Sequence, residues 1–435
     1  MDQILIIADD LTGAADTAVQ FCPYFEDTTL VSYQQWERRP LPALSSATRA
    51  TAIYTNSRAL GADQARNRLV SVAQRLGAPD SLRIYKKIDS CMRGNVGAEG
   101  DELVDQLGCA ASFITPAFPE MGRTTLDDIH RVQGIALDQT EIARDPVTPV
   151  TDSRLTRIVA SQSRYPVGHI GLAFLEDNNQ RSIAEIKRQL KNGVRHIVFD
   201  ATDRSHLDRV ARLIFALEHK ILPVGSAGLA GSIATLLNPN PASDAPAKKV
   251  APEGFNLLVC GTASAVTGQQ IDNLPESYAY ERLQLNPAML ADRSRKDEFS
   301  DAVLTARSGL LKKNVILTIK SHPGSRDRRR QPDYPPAADS IVRGLGQFVA
   351  EVVADAKPGH LFLTGGDTAD AVLNALGAEG IRILGEVVAG VVQGVIIGGR
   401  LDGLPVVTKA GGFGQKDTLV VLHEFWQGIQ GLAQK

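Results

Sequence analysis

Apolar and polar positions along the chain follow a repeated grammar. Short apolar runs such as "ILIIA", "ASFIT", "RHIVFD", "FNLLVC", "NVILTI" and "HLFLT" are too short for helices and stop at turn residues, which predicts strands. Several are followed by Ala/Leu-rich stretches with helical spacing, as "TADAVLNAL" follows "HLFLTGGD". Strands alternating with helices predict mainly parallel sheets with helices packed on both faces. Ligands of such sheets collect at the carboxyl ends of the strands, and the first run ends at Asp9 and Asp10.

Two stretches interrupt the grammar. "NPNPASDAPAKKVAPEG", residues 238–254, has no apolar periodicity and reads as a linker. It separates residues 1–237 from 255–435, so the fold class expected is α/β with two domains, each a mainly parallel sheet flanked by helices. "SHPGSRDRRRQPDYPP", residues 321–336, is basic and Pro-rich, and reads either as a solvated surface loop or as a flap near a phosphate site.

Length agrees with this division, because 435 residues exceed one ordinary core. A formal net charge of -2 provides no whole-protein field for nucleic acid, so an anionic substrate has to be met by local cations. The four cysteines form no C-x-x-C pair and the eight histidines show no metal-ligand spacing, which argues against a structural zinc site or a disulfide framework. No apolar run reaches the roughly 20 residues that span a bilayer, and "MDQILIIADD" has no basic region or cleavage site. A cytoplasmic protein with reduced thiols is expected.

The chemistry-bearing residues cluster at expected strand ends. "IIADDLTGAADTAVQF" sets Asp9 and Asp10 where a strand hands over to a helix, a place equally suited to a capped turn. "YKKIDSCMRGNVGAE" packs Lys86, Lys87, Asp89, Ser90 and Arg93 into one strand exit, and "TNSRAL" adds Arg58. Cations, a hydroxyl and a carboxylate together suit a small hydroxylated anion. In the second half three Gly-rich turns follow strands: "CGTASAVTG" with Gly261, Thr262, Ser264 and Thr267; "TGGDTADAV" with Gly365, Gly366, Asp367 and Thr368; and "TKAGGFG" with Lys409, Gly411, Gly412 and Gly414. Glycines and helix starts let backbone N–H groups approach a phosphate, although neither a Walker pattern nor G-x-G-x-x-G is present.

Taken in order, "IADDLTGAADTA", "YKKIDSCMRGNVGAE", "TPAFPEMGRTT", "VQGIAL", "DPVTPV", "PVGSAGLA", "LTGGDTADAV" and "KAGGFG" make the chain resemble the four-carbon acid sugar kinase family over almost its whole length. The resemblance implies an enzyme that moves the γ-phosphoryl of ATP, with Mg, to the 4-hydroxyl of a C4 sugar acid. It implies an acid-sugar-binding domain over 1–237 and a nucleotide-binding domain over 255–435. Carried onto matching positions, it gives Asp10, Arg58, Lys87, Ile88, Asp89, Ser90 and Arg93 as substrate-binding residues. The nucleotide falls to Ser264, Gly365, Gly366, Asp367, Thr368 and Gly411.

Two positions depart from the commoner family form: Cys91-Met92 stands for Thr-Leu, and "GTASA" for "GSCSA". The stretch "KKIDSCMRGN" favours D-threonate or D-erythronate over a 3-oxo-tetronate. Either Asp10 or Asp89 is the expected base, with Asp9 capping the turn or sitting near Mg; metal ligands are not assigned. A non-catalytic sugar-acid sensor and an NAD-dependent dehydrogenase are the alternatives of another class. No nucleic-acid or membrane partner is expected, and a homodimer is the expected assembly for a soluble enzyme of this size.

Overall fold

A computed structural model describes residues 3–38, 49–76, 82–145, 147–177, 179–239, 254–262, 264–292, 294–320 and 338–429. Most of the expected linker at 238–254 and the whole basic stretch at 321–336 lie outside the described residues. The chain divides into two compact units, Met1–Asp244 and Ala245–Lys435.

The first unit contains β1 (Gln3–Ala8), β2 (Asp27–Ser32), β3 (Arg49–Tyr54), β4 (Leu82–Lys87), β5 (Ala111–Thr115), β6 (Arg123–Leu126), β7 (Ile129–Val132), β8 (Ile135–Ala136), β9 (Val167–Ile170), β10 (His196–Phe199) and β11 (Ile221–Gly225). Its main sheet runs β2-β3-β1-β4-β11-β5-β10-β9, and every pairing in it is parallel. β1 and β5 are buried on both faces, which is why they read as unbroken apolar runs rather than alternating ones. β6, β7 and β8 form a separate antiparallel ribbon.

Topology and register place the chemistry. From β1 the chain builds β3 and β2 on one side and then returns to lay β4 on the other, so the crevice above β1 is a switch point of the sheet. Ala8 lies opposite both Tyr54 and Lys87, so the loops that carry Asp9, Arg58 and Asp89 leave the sheet at the same height.

Two buried polar networks stiffen this edge. The Lys86 ammonium, fully buried, meets Glu99 Oε2 at 2.5 Å and donates to the Lys87 carbonyl at 3.0 Å. Glu99, in the first turn of helix Val96–Gln106, also accepts from Ser57, whose hydroxyl lies 2.7 Å from that of Thr55. Lys86 therefore joins β4, the loop after β3 and a helix, and it is a scaffold cation. Ser112, His196 and Asp101 form a hydrogen-bonded chain at 2.6 and 2.7 Å that looks like a hydrolase triad. All three are 0 % exposed, so no substrate reaches the serine, and the chain staples β5 and β10 to helix Val96–Gln106.

The second unit contains β12 (Leu257–Cys260), β13 (Tyr280–Leu285), β14 (Asn314–Ile319), β15 (Leu361–Thr364), β16 (Gly380–Val388), β17 (Val391–Ile397) and β18 (Pro405–Lys409). Their order is β13-β14-β12-β15-β18-β17-β16, parallel from β13 to β18 and antiparallel beyond. Cys260 pairs with Thr364, and Thr364 with Lys409, so the three strands that precede the Gly-rich turns also end level.

All six quoted apolar runs are strands, and "TADAVLNAL" lies in helix Gly366–Ala375 apart from its last residue. Both sheets match the expected class; the β16–β18 meander and the β6–β8 ribbon are additions to it. None of the four cysteines is joined in a disulfide. Among the described residues no helix is long and apolar enough to cross a membrane.

Removing Glu99 would strand the buried Lys86 ammonium, a loss that typically amounts to about 3–5 kcal/mol. Glu99→Ala is accordingly expected to lower unfolding stability by about that much in urea titration, whereas Glu99→Gln, which keeps an acceptor, should lose less.

Candidate active site

In the first unit one guanidinium organises the switch-point crevice. Arg58 donates to Asp9 through Nε (2.7 Å) and Nη2 (3.0 Å), and the same Nη2 donates to Asp10 Oδ1 at 2.7 Å. It also stands 3.8 Å from Asp89 Oδ1. Asp10, not Asp9, caps the following helix, Leu11–Ala18: its side chain accepts from the Gly13 N–H at 3.0 Å and from the Thr12 hydroxyl at 2.6 Å. The expected division of labour is thus altered, because Asp9 is taken up by the bidentate Arg58 fork while the extended backbone of Asp10 aims its carboxylate at the helix start.

Asp89 is held in the same manner. It receives Arg93 Nε at 2.8 Å and Nη2 at 3.0 Å, together with the backbone N–H groups of Cys91 and Arg93. Burial pushes the Asp89 carboxyl upward, but Arg93 and Arg58 outweigh it and hold the group well below the carboxylate range. Burial likewise raises Asp10, and Arg58 and Lys87 bring it back below its ordinary value.

Lys87 Nζ donates to the Ile88 carbonyl at 2.8 Å and, among the described residues, has no carboxylate within ion-pair distance. A Cβ on Gly13 would stand 2.5 Å from Asp10 Oδ1 and 2.8 Å from Lys87 Nζ, so any side chain there would push both groups aside. Ser90 holds the loop through its carbonyl, which accepts from buried His130 at 2.7 Å; burial keeps that imidazole neutral, near a pKa of 4.

In the second unit the three Gly-rich turns converge. A Cβ on Gly261 would collide with the Thr368 hydroxyl, and one on Gly411 would lie 2.5 Å from Thr262 Oγ1. Gly365, at φ 97°, is the N-cap of helix Gly366–Ala375 and has both threonines as its nearest neighbours. Ser264 is the N-cap of helix Ala265–Asp272, and its N–H donates to Thr262 Oγ1 at 3.2 Å. Thr267 donates to the Gly411 carbonyl at 2.9 Å. Beneath them the buried Lys409 ammonium reaches the carbonyls of Ala410 (3.0 Å), Gly411 (3.4 Å) and Phe413 (3.1 Å). Burial lowers Lys409 to about 8. Two helix starts and a glycine loop at one level edge make a cradle suited to phosphate.

Comparison with known proteins agrees with this division. A sugar-binding N-terminal domain matches residues 4–233, and a nucleotide-binding C-terminal domain matches residues 257–419. The D-threonate kinase of Salmonella typhimurium is 32 % identical over 96 % of this chain and 96 % of its own. The chain belongs to the four-carbon acid sugar kinase family. The D-erythronate kinase of Heliobacterium modesticaldum, another relative, is 30 % identical over 96 % of this chain and 95 % of its own. A solved structure from Salmonella typhimurium LT2 shares the fold, with a TM-score of 0.78 at 21 % identity over 97 % of this chain and 99 % of that one.

Within this family member the structure gathers Asp10, Arg58, Lys87, Ile88, Asp89, Ser90 and Arg93 at one edge of the first unit. It gathers Ser264, Gly365, Gly366, Asp367, Thr368 and Gly411 at one edge of the second. Sequence reasoning did not single out Gly13, Asp16 or Arg123. The available signal for Asp16 was a lone carboxylate on an Ala-rich helix that is buried at almost every position.

Two outcomes test these arrangements. Gly411→Val should displace Thr262 and raise the KM for ATP roughly tenfold or more, equivalent to about 1.4 kcal/mol of nucleotide binding, with the acid's KM little changed. Arg58→Lys cannot fork two carboxylates, so it should lose about 1.5–3 kcal/mol of stability in urea titration and raise the acid's KM.

Proposed function

We propose that this protein is an ATP-dependent kinase that phosphorylates the 4-hydroxyl of a four-carbon sugar acid, with D-threonate or D-erythronate as acceptor. The carrying observation is the Lys87 ammonium, which keeps donors for an anion in a crevice where the arginines are already bound to aspartates. Identity of 32 % to a D-threonate kinase and 30 % to a D-erythronate kinase supports the choice of acceptor.

In this reading residues 1–237 hold the acid, 238–254 connect, and 255–435 hold the nucleotide. Lys87 and Arg93 meet the acid's carboxylate or the migrating phosphoryl. Arg58, Asp10, Asp89, Ser90 and the Ile88 backbone fix the crevice around the hydroxyls. Ser264, Gly365, Gly366, Asp367, Thr368 and Gly411 cradle the phosphates of ATP.

Among the described residues no group of three or more His, Cys, Asp or Glu is arranged to hold a metal ion. Mg would be carried mainly on nucleotide phosphates and water, its usual manner of binding in kinases, and would neutralise charge on the transferred group. A cytoplasmic homodimer is the setting that accords with this reading.

The test is ADP release from Mg-ATP across a panel of tetronates, with NAD as a control for thermal stabilisation. Turnover of D-threonate or D-erythronate is expected, and Lys87→Met should lower it about 10²- to 10³-fold, as removal of a transition-state charge donor does. Preference for a 3-oxo-tetronate would reassign the substrate; stabilisation by NAD and not by Mg-ATP would overturn the kinase.

A further inference from the structure

Transfer to a hydroxyl calls for a group that accepts its proton, and three of the four aspartates at this edge are already engaged. Asp9 and Asp89 each receive an arginine through both oxygens, and Asp10 accepts from three donors. Carboxylates covered in this way have few lone pairs left to accept a substrate proton.

Asp16 is different. It follows Gly13 by three positions on helix Leu11–Ala18 and so shares its face, the face that looks onto Asp10 and Lys87. The residue is 9 % exposed, and its Oδ1 accepts no hydrogen bond from any described residue. A buried carboxylate oxygen without a donor is destabilising and rarely tolerated without a role. A substrate hydroxyl that reached this carboxylate would supply the missing donor.

We propose that Asp16 is the general base that receives the proton of the attacking 4-hydroxyl, an assignment that rests on the kinase reading above. The hydroxyl oxygen bonds to the γ-phosphorus while the bond from that phosphorus to the β,γ-bridging oxygen breaks, and ADP leaves with the electron pair. The hydroxyl proton passes to the Asp16 carboxylate and then to solvent. Lys87, beside both, neutralises the oxygen as it loses the proton.

The electrostatics agree. Burial raises Asp16 to about 6; Lys87 at the end of β4 and Arg123 on β6 oppose the rise, while Asp10 adds to it. Tyr85, also on β4, faces the same group but donates its hydroxyl to the Ser226 carbonyl at 2.5 Å. Asp16 is thus ionised at neutral pH yet basic enough to take a proton, the compromise that efficient general bases reach.

The test combines rate, pH and stability. Wild-type kcat is expected to rise through about pH 6, and Asp16→Asn to lose about 10²- to 10⁴-fold in kcat together with that limb, with the KM for ATP little changed. Because the folded pKa exceeds the unfolded one, Asp16 withdraws stability as pH rises from about 4 to about 6, and the deficit persists above that range. The Asn variant should therefore melt at or above wild type near neutral pH, where a purely structural aspartate would make it melt lower.

A flat wild-type kcat from about pH 5 to 7, which requires no variant, would overturn the assignment. So would an Asn variant that keeps wild-type kcat. A wild-type protein that phosphorylates no tetronate would instead sink the parent reading and this assignment together.

Discussion

One guanidinium holds the switch-point edge of the first unit together. Parallel strands that end level bring their loops into contact, and here two of those loops present three carboxylates, Asp9 and Asp10 after β1 and Asp89 after β4. Like charges a few ångströms apart repel by several kcal/mol in a partly buried setting, at an effective dielectric near 20. Arg58, from a third loop on the same edge, inserts a planar fork among them, and only a fork can reach Asp9 with two bonds and Asp10 with the same outer nitrogen. The adjacent aspartates at the end of the first strand are thus two claimants on one cation, and what remains free in the crevice is set by that claim.

The two units build their level edges by opposite means. At the first edge, side-chain charges cancel one another and leave Lys87 and Asp16 in reserve. At the second edge, the glycine turns remove side chains so that main-chain groups and threonine hydroxyls line the cradle. Level strand endings supply both, at Ala8, Tyr54 and Lys87 in one unit and at Cys260, Thr364 and Lys409 in the other.

Local pattern carried the fold, because doubly buried strands read as unbroken apolar runs and their helices as 3.6-residue spacing. The β16–β18 meander was harder to see, since consecutive apolar segments without an intervening helix leave direction unspecified. The clustering of charged groups at strand ends was legible from their density in the sequence, whereas their individual partners were not. Lys86 and Lys87 are neighbours whose side chains leave a strand on opposite faces, and sequence does not say which face holds Glu99. Asp9 and Asp10 pose the same ambiguity, settled by backbone angles at Asp10. Asp16 is distinguished by a missing donor, a property that exists only once the neighbours are placed.

Lys409 places an ammonium in a ring of main-chain oxygens, the coordination that proteins otherwise offer to a monovalent metal cation. Tethered to β18 by its own side chain, this resident ion cannot be diluted, exchanged or outcompeted. The glycine loop above it is therefore held by a cation that the chain itself supplies rather than one drawn from the surrounding medium.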